Sequence, residues 1–150
     1  MLRSCFPSSV FCILLSACGV TPGGWQILPT VSRPVDSVLQ DAREVVTREG
    51  FSIDSEAPSE GGVRLMTGWK TQLSPHWRQG KRRRVEVFVQ EAETGGTVTK
   101  VRTYLEINET HKNSTSPELA SWSSEGGDEE LAIRVIEMLR MRLLRPKMDE

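Results

Sequence analysis

The chain has 150 residues, of which 37% are hydrophobic and 26% are charged, and its formal net charge at pH 7 is −1. This length is sufficient for one folded domain and a processing segment. Acidic and basic residues nearly balance, whereas a nucleic-acid-binding protein would be expected to be much more basic. We therefore predict no nucleic-acid partner.

Residues 1–17 have the layout of a secretory signal peptide. Arg3 supplies the positive end, and a mostly apolar run extends from Val10 to Ala17. This run has about half of the ~20 residues that a helix needs to cross a bilayer. We therefore expect a cleaved signal and no permanent transmembrane anchor.

The sequence LSAC at positions 15–18 resembles the lipobox of bacterial lipoproteins. The resemblance implies that the sulfur of Cys18 receives a diacylglycerol and that a signal peptidase cuts before this residue. A thiolate is suited to forming the thioether, and two or three acyl chains on one residue give stable membrane attachment. Cys5 and Cys12 would leave with the signal, so the mature chain would have no free thiol. Ordinary cleavage nearby, which leaves Cys18 as a small buried side chain, is the alternative.

Residues 18–32 are rich in Gly, Pro and small side chains, which predicts a lipidated flexible tether. Gly19 occupies the position at which aspartate retains lipoproteins at the inner membrane in enterobacteria-like sorting. The resemblance therefore favours the periplasmic face of the outer membrane, and the outer leaflet of the inner membrane is the alternative. Trp25 and Ile27 are more apolar than the side chains usual in a flexible tether. They either dock on the domain, which we favour, or lie at lipid headgroups.

Residues 33–146 are predicted to form the folded domain, followed by a tail at 147–150. Two segments have the apolar periodicity of a helix with one buried face. The first follows Pro34 and ends at Gly50, and the second begins at Asp128. The two apolar stripes comprise Val35, Val38, Leu39, Ala42, Val45 and Val46, and Leu131, Ala132, Val135, Ile136, Leu139 and Leu143.

Four strands are predicted between the two helices. A short one begins in GFSID at 50–54, and longer ones lie in GVRLMTGWK, RRVEVFVQEA and TVTKVRTYLEIN. One face of the first long strand is expected to carry Val63, Leu65, Thr67 and Trp69. The ETGG sequence at 93–96 predicts a hairpin turn. The order αββββα predicts an α+β two-layer sandwich, with both helices on one face of an antiparallel meander sheet.

A lipobox, a tether and a helix–sheet–helix domain together resemble the repeated domain of the BamC-type lipoproteins, which are accessories of outer-membrane protein assembly. The likeness is carried by VLQDAREVVTREGFSID, TGWKTQ and GKRRRVEVFV and covers residues 35–144. This chain has room for one such domain where BamC has two, and it lacks an obvious match to the N-terminal docking segment of that family. The LptE lipoproteins of lipopolysaccharide assembly, with two helices on a sheet and the same anchor, are a second family that the chain resembles.

The sequence has none of the common catalytic or cofactor motifs. His76 and His111 have no second His or Cys at the spacing of metal ligands. A nucleophile elbow, a P-loop and a dinucleotide-binding glycine motif are also missing from the sequence. We therefore predict a noncatalytic protein without a metal or another cofactor.

The one concentrated feature is the basic run HWRQGKRRR at 76–84. Arginine pairs phosphate through its planar fork, so the run predicts an anion- or partner-binding site. Its candidate residues are Trp77, Arg78, Lys81, Arg82, Arg83 and Arg84. Alternation places Arg82 and Arg84 on the solvent side of the sheet, together with Lys100 and Arg102. Because Glu86 and Glu106 lie on that same side, a charge-balanced, solvated face is the alternative, which we favour.

The sequence therefore predicts a noncatalytic, lipid-anchored accessory or scaffold in outer-membrane assembly, with an envelope protein as its partner. The alternative is a carrier or sensor that binds an anionic envelope ligand, such as an anionic lipid or lipopolysaccharide. We expect Trp69, Trp77 and Trp122 to pack against the sandwich; a ligand cleft is the alternative for these three side chains.

Overall fold

The computed structural model describes residues 22–74, 79–109 and 116–144. They form a single antiparallel sheet and two α-helices, which confirms the α+β class. The elements are β1 (Gln26–Val31), α1 (Val35–Arg48), β2 (Ile53–Ser59), β3 (Gly62–Thr67), β4 (Lys70–Ser74), β5 (Gln79–Glu91), β6 (Thr97–Asn108), β7 (Trp122–Ser124) and α2 (Glu129–Leu143). The predictions of four strands and of the order αββββα are wrong, because the sheet has seven strands and begins before the first helix.

The two long strands β5 and β6 form the centre of the sheet. The strand order is β1-β6-β5-β3-β2, while β4 extends the pairing along β5 and β7 extends it along β6. The tight turn between β5 and β6 lies at the predicted position, with Gly95 and Gly96 at φ values of 84° and 85°. Only glycine adopts such angles readily, so these two residues determine where the central hairpin turns.

Strand β1 lies within the segment that was predicted as a tether at 18–32. Its residues pair with β6 in the antiparallel direction, and Leu28 is buried in the core. Pro29 has no N–H to donate, and it is tolerated because β1 is an edge strand of the sheet. The Gly- and Pro-rich composition concealed this strand. Residues 18–21, the predicted signal at 1–17 and the tail at 147–150 lie outside the described residues.

Both helices have the stripes predicted for them. Helix α1 follows Pro34 and α2 follows Asp128, and the residues at the centre of each stripe are buried. Asp128 caps α2, since its Oδ1 accepts a hydrogen bond of 3.0 Å from the N–H of Leu131. The helices contact each other and pack on the same side of the sheet. We call this side the covered face and the opposite side, over which neither α1 nor α2 lies, the open face.

A bulge at Gly68 and Trp69 separates β3 from β4. Met66 is paired with Glu86 and Lys70 with Arg83. The three residues at 67–69 therefore lie opposite the two β5 residues at 84–85. A bulge reverses the alternation of the residues that follow it. Trp69 therefore lies on the open face, and its predicted position beside the buried residues of β3 is wrong.

Candidate functional site

The basic run at 81–84 is divided between the two faces of the sheet. All four residues belong to β5, and successive side chains of a strand point to opposite faces. Arg82 and Arg84 lie on the open face, as predicted, whereas Lys81 and Arg83 lie on the covered side. The four cations therefore cannot form one patch. Trp77 and Arg78, the other two candidates, lie outside the described residues.

The cations on the covered side are largely held by the fold itself. Arg83 Nε lies 2.7 Å from Asp128 Oδ2, which joins β5 to the start of α2. Lys81 lines a neighbouring cavity of about 350 Å³ together with Arg134 and Lys70. Arg134 pairs with the side chain of Glu49 at 3.1 Å, and Lys70 Nζ donates a 2.6 Å hydrogen bond to the backbone oxygen of the same residue. These contacts support a structural role for this group.

The open face carries a continuous layer in which arginines alternate with aromatic rings. We call it the arginine–aromatic layer, and it comprises Trp25, Trp69, Arg82, Arg84, Arg102, Tyr104 and Trp122. Each guanidinium lies over two rings. Such cation–π contacts are favourable within about 6 Å of the ring centre.

Arg84 lies at the middle of this layer. Its guanidinium carbon is 4.7 Å from the ring centre of Trp69 and 4.6 Å from that of Tyr104. The guanidinium carbon of Arg82 lies 4.5 Å from the ring centre of Trp69 and 4.6 Å from that of Trp122. Trp69 and Trp122 are thus packed against arginine. Trp77 lies outside the described residues.

Arg102 connects the layer to the N-terminal end of the described chain. Its guanidinium carbon is 4.2 Å from the ring centre of Trp25 and 5.6 Å from that of Tyr104. Trp25 is therefore docked on the domain, as the sequence favoured. Tyr104 and Trp25 were not among the predicted site residues, because neither belongs to the basic run.

A buried carboxylate lies beneath the arginines. The side chain of Glu86 is 0% exposed, and its Oε2 accepts hydrogen bonds from Arg102 Nε at 2.7 Å and from the hydroxyl of Tyr104. The Nε of Arg64 lies 3.1 Å from its Oε1. A buried charge is tolerated only when it is paired in this way. Glu106, which is also buried, pairs with Arg82.

The surroundings of Glu86 shift two pKa values. Burial by itself would raise the pKa of Glu86, but hydrogen bonds from Arg102 and Tyr104, with the charges of Arg102 and Arg64, outweigh it and lower that pKa below 4.5. The pKa of Tyr104 is raised above 10.0, first by burial and then by its hydrogen bond to Glu86 and the charge of that carboxylate. At neutral pH the layer therefore contains an ionised Glu86 and a neutral Tyr104.

Two cations of the open face have no acidic partner among the described residues. On the strands β3, β5 and β6 this face carries a net charge of +3, from Arg64, Arg82, Arg84, Lys100 and Arg102 against Glu86 and Glu106. Arg84 and Lys100 make no described ion pair, and Arg84 Nε is buried without a described hydrogen-bond acceptor. The predicted charge balance therefore holds for only part of this face, although residues 18–150 carry 18 basic against 20 acidic residues.

The arrangement is suited to binding. Within residues 22–74, 79–109 and 116–144, no group of three His, Cys, Asp or Glu side chains is placed to hold a metal ion. His76 and His111 fall outside these ranges. No helix in the same ranges combines the length and the apolar character needed to span a membrane. The open face presents cationic and aromatic side chains, and its cations Arg84 and Lys100 can pair with anionic groups.

No protein-family model matches this chain, and no curated protein is significantly similar to it in sequence.

Proposed function

We propose that this chain is a noncatalytic, lipid-anchored accessory protein of bacterial outer-membrane assembly, held to the membrane through Cys18. The lipobox and the resemblance to BamC-type lipoproteins support the anchoring and the compartment. The observation that carries the proposal is the arginine–aromatic layer, which supports the open face as the binding surface of the protein.

The layer supports binding because its side chains are held in place before any partner arrives. Arg82 and Arg102 are fixed by buried carboxylates, and Arg84 is fixed between two rings. Ordering long side chains at an interface ordinarily costs free energy, and a preorganised surface avoids part of that cost. Arg, Trp and Tyr are also the residue types that most often dominate the energetics of interfaces.

A second candidate function is the binding of an anionic envelope ligand such as lipopolysaccharide, as a carrier or sensor. Arg84 and Lys100 favour it, since neither has an acidic partner among the described residues. An arginine fork can pair phosphate in two places. Both candidate functions use the open face, and they differ in what occupies it.

The role in assembly can be tested in the native host after deletion of its own copy of the gene. The readout is the amount of folded outer-membrane β-barrel protein, measured by its heat-dependent mobility in gels. We expect wild type and the control Arg48→Gln to restore this amount, because Arg48 is exposed at the end of α1, away from the open face. The double variant Arg84→Gln/Lys100→Gln and the anchor variant Cys18→Ser should not restore it.

Three results would contradict the proposal. An unchanged amount of folded β-barrel protein after deletion would remove the assembly role. Full restoration by Cys18→Ser would remove the need for the anchor. Full restoration by Arg84→Gln/Lys100→Gln would show that the open face is not the binding surface.

A further inference from the structure

We propose that the open face of the sheet lies on the membrane to which the chain is anchored, where Arg84 and Lys100 bind phosphates of anionic phospholipid headgroups. This inference rests on the proposed lipid anchor at Cys18. It names the partner of the open face as the bilayer surface itself.

The first argument is the short distance between the anchor and the domain. The N–H of Gly23 donates a 2.8 Å hydrogen bond to the backbone oxygen of Thr103, so the chain already joins the sheet at this residue. A Cβ on Gly23 would lie 2.9 Å from the Cα of Gly127, which shows how closely the entering chain is packed. Gly23 lies five residues after Cys18, and a chain of five residue steps can span at most about 18 Å. An anchored domain is therefore held close to the bilayer by its β1 edge.

The second argument is that two apolar side chains following this entry point, Trp25 and Ile27, lie on the open face, whereas Leu28 of the same strand lies in the core. Trp25 contacts Arg102 there, and Ile27 is paired with Lys100 at the sheet edge. Ile27 is 59% exposed, which is a cost for an apolar side chain in water. Contact with the membrane interface would bury it.

The third argument is the mixture of side chains in the row of residues that runs from Ile27 on β1 across the sheet. Arg64, Phe88, Lys100 and Ile27 are neighbours in register across four strands. The row alternates cations with apolar groups, and Lys100 Nζ lies 5.9 Å from the ring centre of Phe88. Surfaces that lie in the headgroup region combine the same two chemistries, because basic groups contact phosphates while apolar groups enter the acyl boundary.

The fourth argument is charge. The central strands of the open face carry a net charge of +3, although the chain as a whole is slightly acidic. Arg84 is oriented by Trp69 and Tyr104, and it keeps its charge free of any described carboxylate. A basic side chain near an anionic leaflet strengthens binding to it. A protein surface or lipopolysaccharide could also be anionic, but only the bilayer is already within reach of the anchor.

The experiment uses the full lipidated chain, purified from its native host and reconstituted into vesicles. A single cysteine is introduced on the open face by Ile27→Cys or, as the matched control, on α2 by Ile133→Cys, where Ile133 is 46% exposed. Each cysteine carries a fluorophore whose accessibility to acrylamide, a neutral quencher, is measured. The vesicles contain either phosphatidylcholine alone or phosphatidylcholine with phosphatidylglycerol.

On the vesicles with phosphatidylglycerol, we expect the label at position 27 to be protected and the label at position 133 to remain exposed. Arg84→Gln and Lys100→Gln should each lower the docking equilibrium constant about fivefold, and added salt should lower it further. Arg48→Gln, which removes an exposed cation from α1, should leave it unchanged. Lys100 contacts one ring, at 5.9 Å, whereas Arg84 lies over two rings with its Nε buried, so Lys100→Gln tests the proposal even if Arg84→Gln unfolds.

Equal quenching at positions 27 and 133 on the anionic vesicles would overturn the inference. It would also be overturned if Arg84→Gln and Lys100→Gln both docked with the same equilibrium constant as wild type. Protection that requires lipid A in the vesicles would overturn it in favour of a lipopolysaccharide ligand. The mass of the same purified sample separates this inference from the proposed function. An acylated Cys18 without docking refutes the inference alone, whereas an unmodified Cys18 refutes the proposed anchor.

Discussion

The two faces of the sheet exclude water from their centres in different ways. Val85 and Val87 on the covered face are 0% exposed, and so is Glu86, which lies between them on β5 and points to the open face. The valines are buried under two helices, whereas the carboxylate is buried under arginines and aromatic rings. A sheet face without a helix over it can therefore still have a dry centre, provided that its polar groups are paired.

This difference predicts how each face responds to change. The covered face is stabilised by apolar volume, so its free energy depends on how completely the space is filled. The open face is stabilised by charge pairs and cation–π contacts, so it depends on partners and on pH. The following predictions test this contrast, from the largest expected effect on stability to the smallest.

Leu65→Ala should lower the free energy of unfolding by about 3 kcal/mol, because it leaves a cavity beneath the helices. Leu65 is fully buried on β3 and belongs to the core. The measurement is equilibrium unfolding in denaturant, with Ile133→Ala as an exposed control that should change stability by less than about 1 kcal/mol. A loss at Leu65 no larger than that of the control would show that the covered face is not a close-packed core.

Glu86→Gln should lower the free energy of unfolding at neutral pH by about 2 kcal/mol, because hydrogen bonds to a charged group are lost. The substitution leaves Arg64 and Arg102 without the carboxylate between them. Glu60→Gln, on an exposed turn, is the matched control and should have little effect. An unchanged stability of Glu86→Gln would mean that the buried pairings add nothing to the fold.

Acid should remove this difference between wild type and Glu86→Gln. The pKa of Glu86 is lowered below 4.5, so its contribution to stability is complete above that value and is lost as the pH falls through the folded-state pKa. Unfolding measured across this range should show the two proteins converging. A constant difference down to the lowest pH would contradict the assignment.

Asp128→Ala should lower the free energy of unfolding by about 1 kcal/mol through loss of the helix cap. It also removes the ion pair with Arg83 on the covered side. Asp128→Asn retains a capping oxygen without the charge, so it should recover most of the loss. If the two variants are equally destabilised, the ion pair matters more than the cap, and charge also governs the covered side.

The titration of Tyr104 reports on the open face. It is a measurement on the wild-type protein, so it leaves the stability at neutral pH unchanged. Tyr104 is the single tyrosine of the chain, so tyrosinate absorbance follows it directly. Its pKa should lie above 10.0 in the folded protein, should fall in Glu86→Gln, and should return to about 10 in denaturant. Because that pKa is raised, the associated stability is present below pH 10.0 and is lost as the pH rises through the folded-state value. An identical titration in folded and denatured protein would refute both the burial of Tyr104 and its hydrogen bond to Glu86.

The glycine pair at 95 and 96 predicted the central turn. Local periodicity was sufficient to predict both helices and the cores of β3, β5 and β6. It also placed Arg82 and Arg84 on one side of the sheet. These features depend on side-chain spacing within one segment, which the order of residues specifies directly. The same spacing did not reveal β1, which its Gly- and Pro-rich surroundings concealed, or β4 and β7, which are short and are stabilised mainly by the strands they pair with.

The layer on the open face was decided by tertiary structure. The bulge at Gly68 turns Trp69 toward Arg84, and the register of β5 with β6 brings Tyr104 beside Arg84 from the opposite side. Register and bulges depend on backbone pairing between distant segments, and a shift of one residue moves every side chain to the other face. The sequence by itself determined which residues carry charge and which way each strand alternates. Only the folded sheet decided which charges are paired with a carboxylate and which have no acidic partner among the described residues.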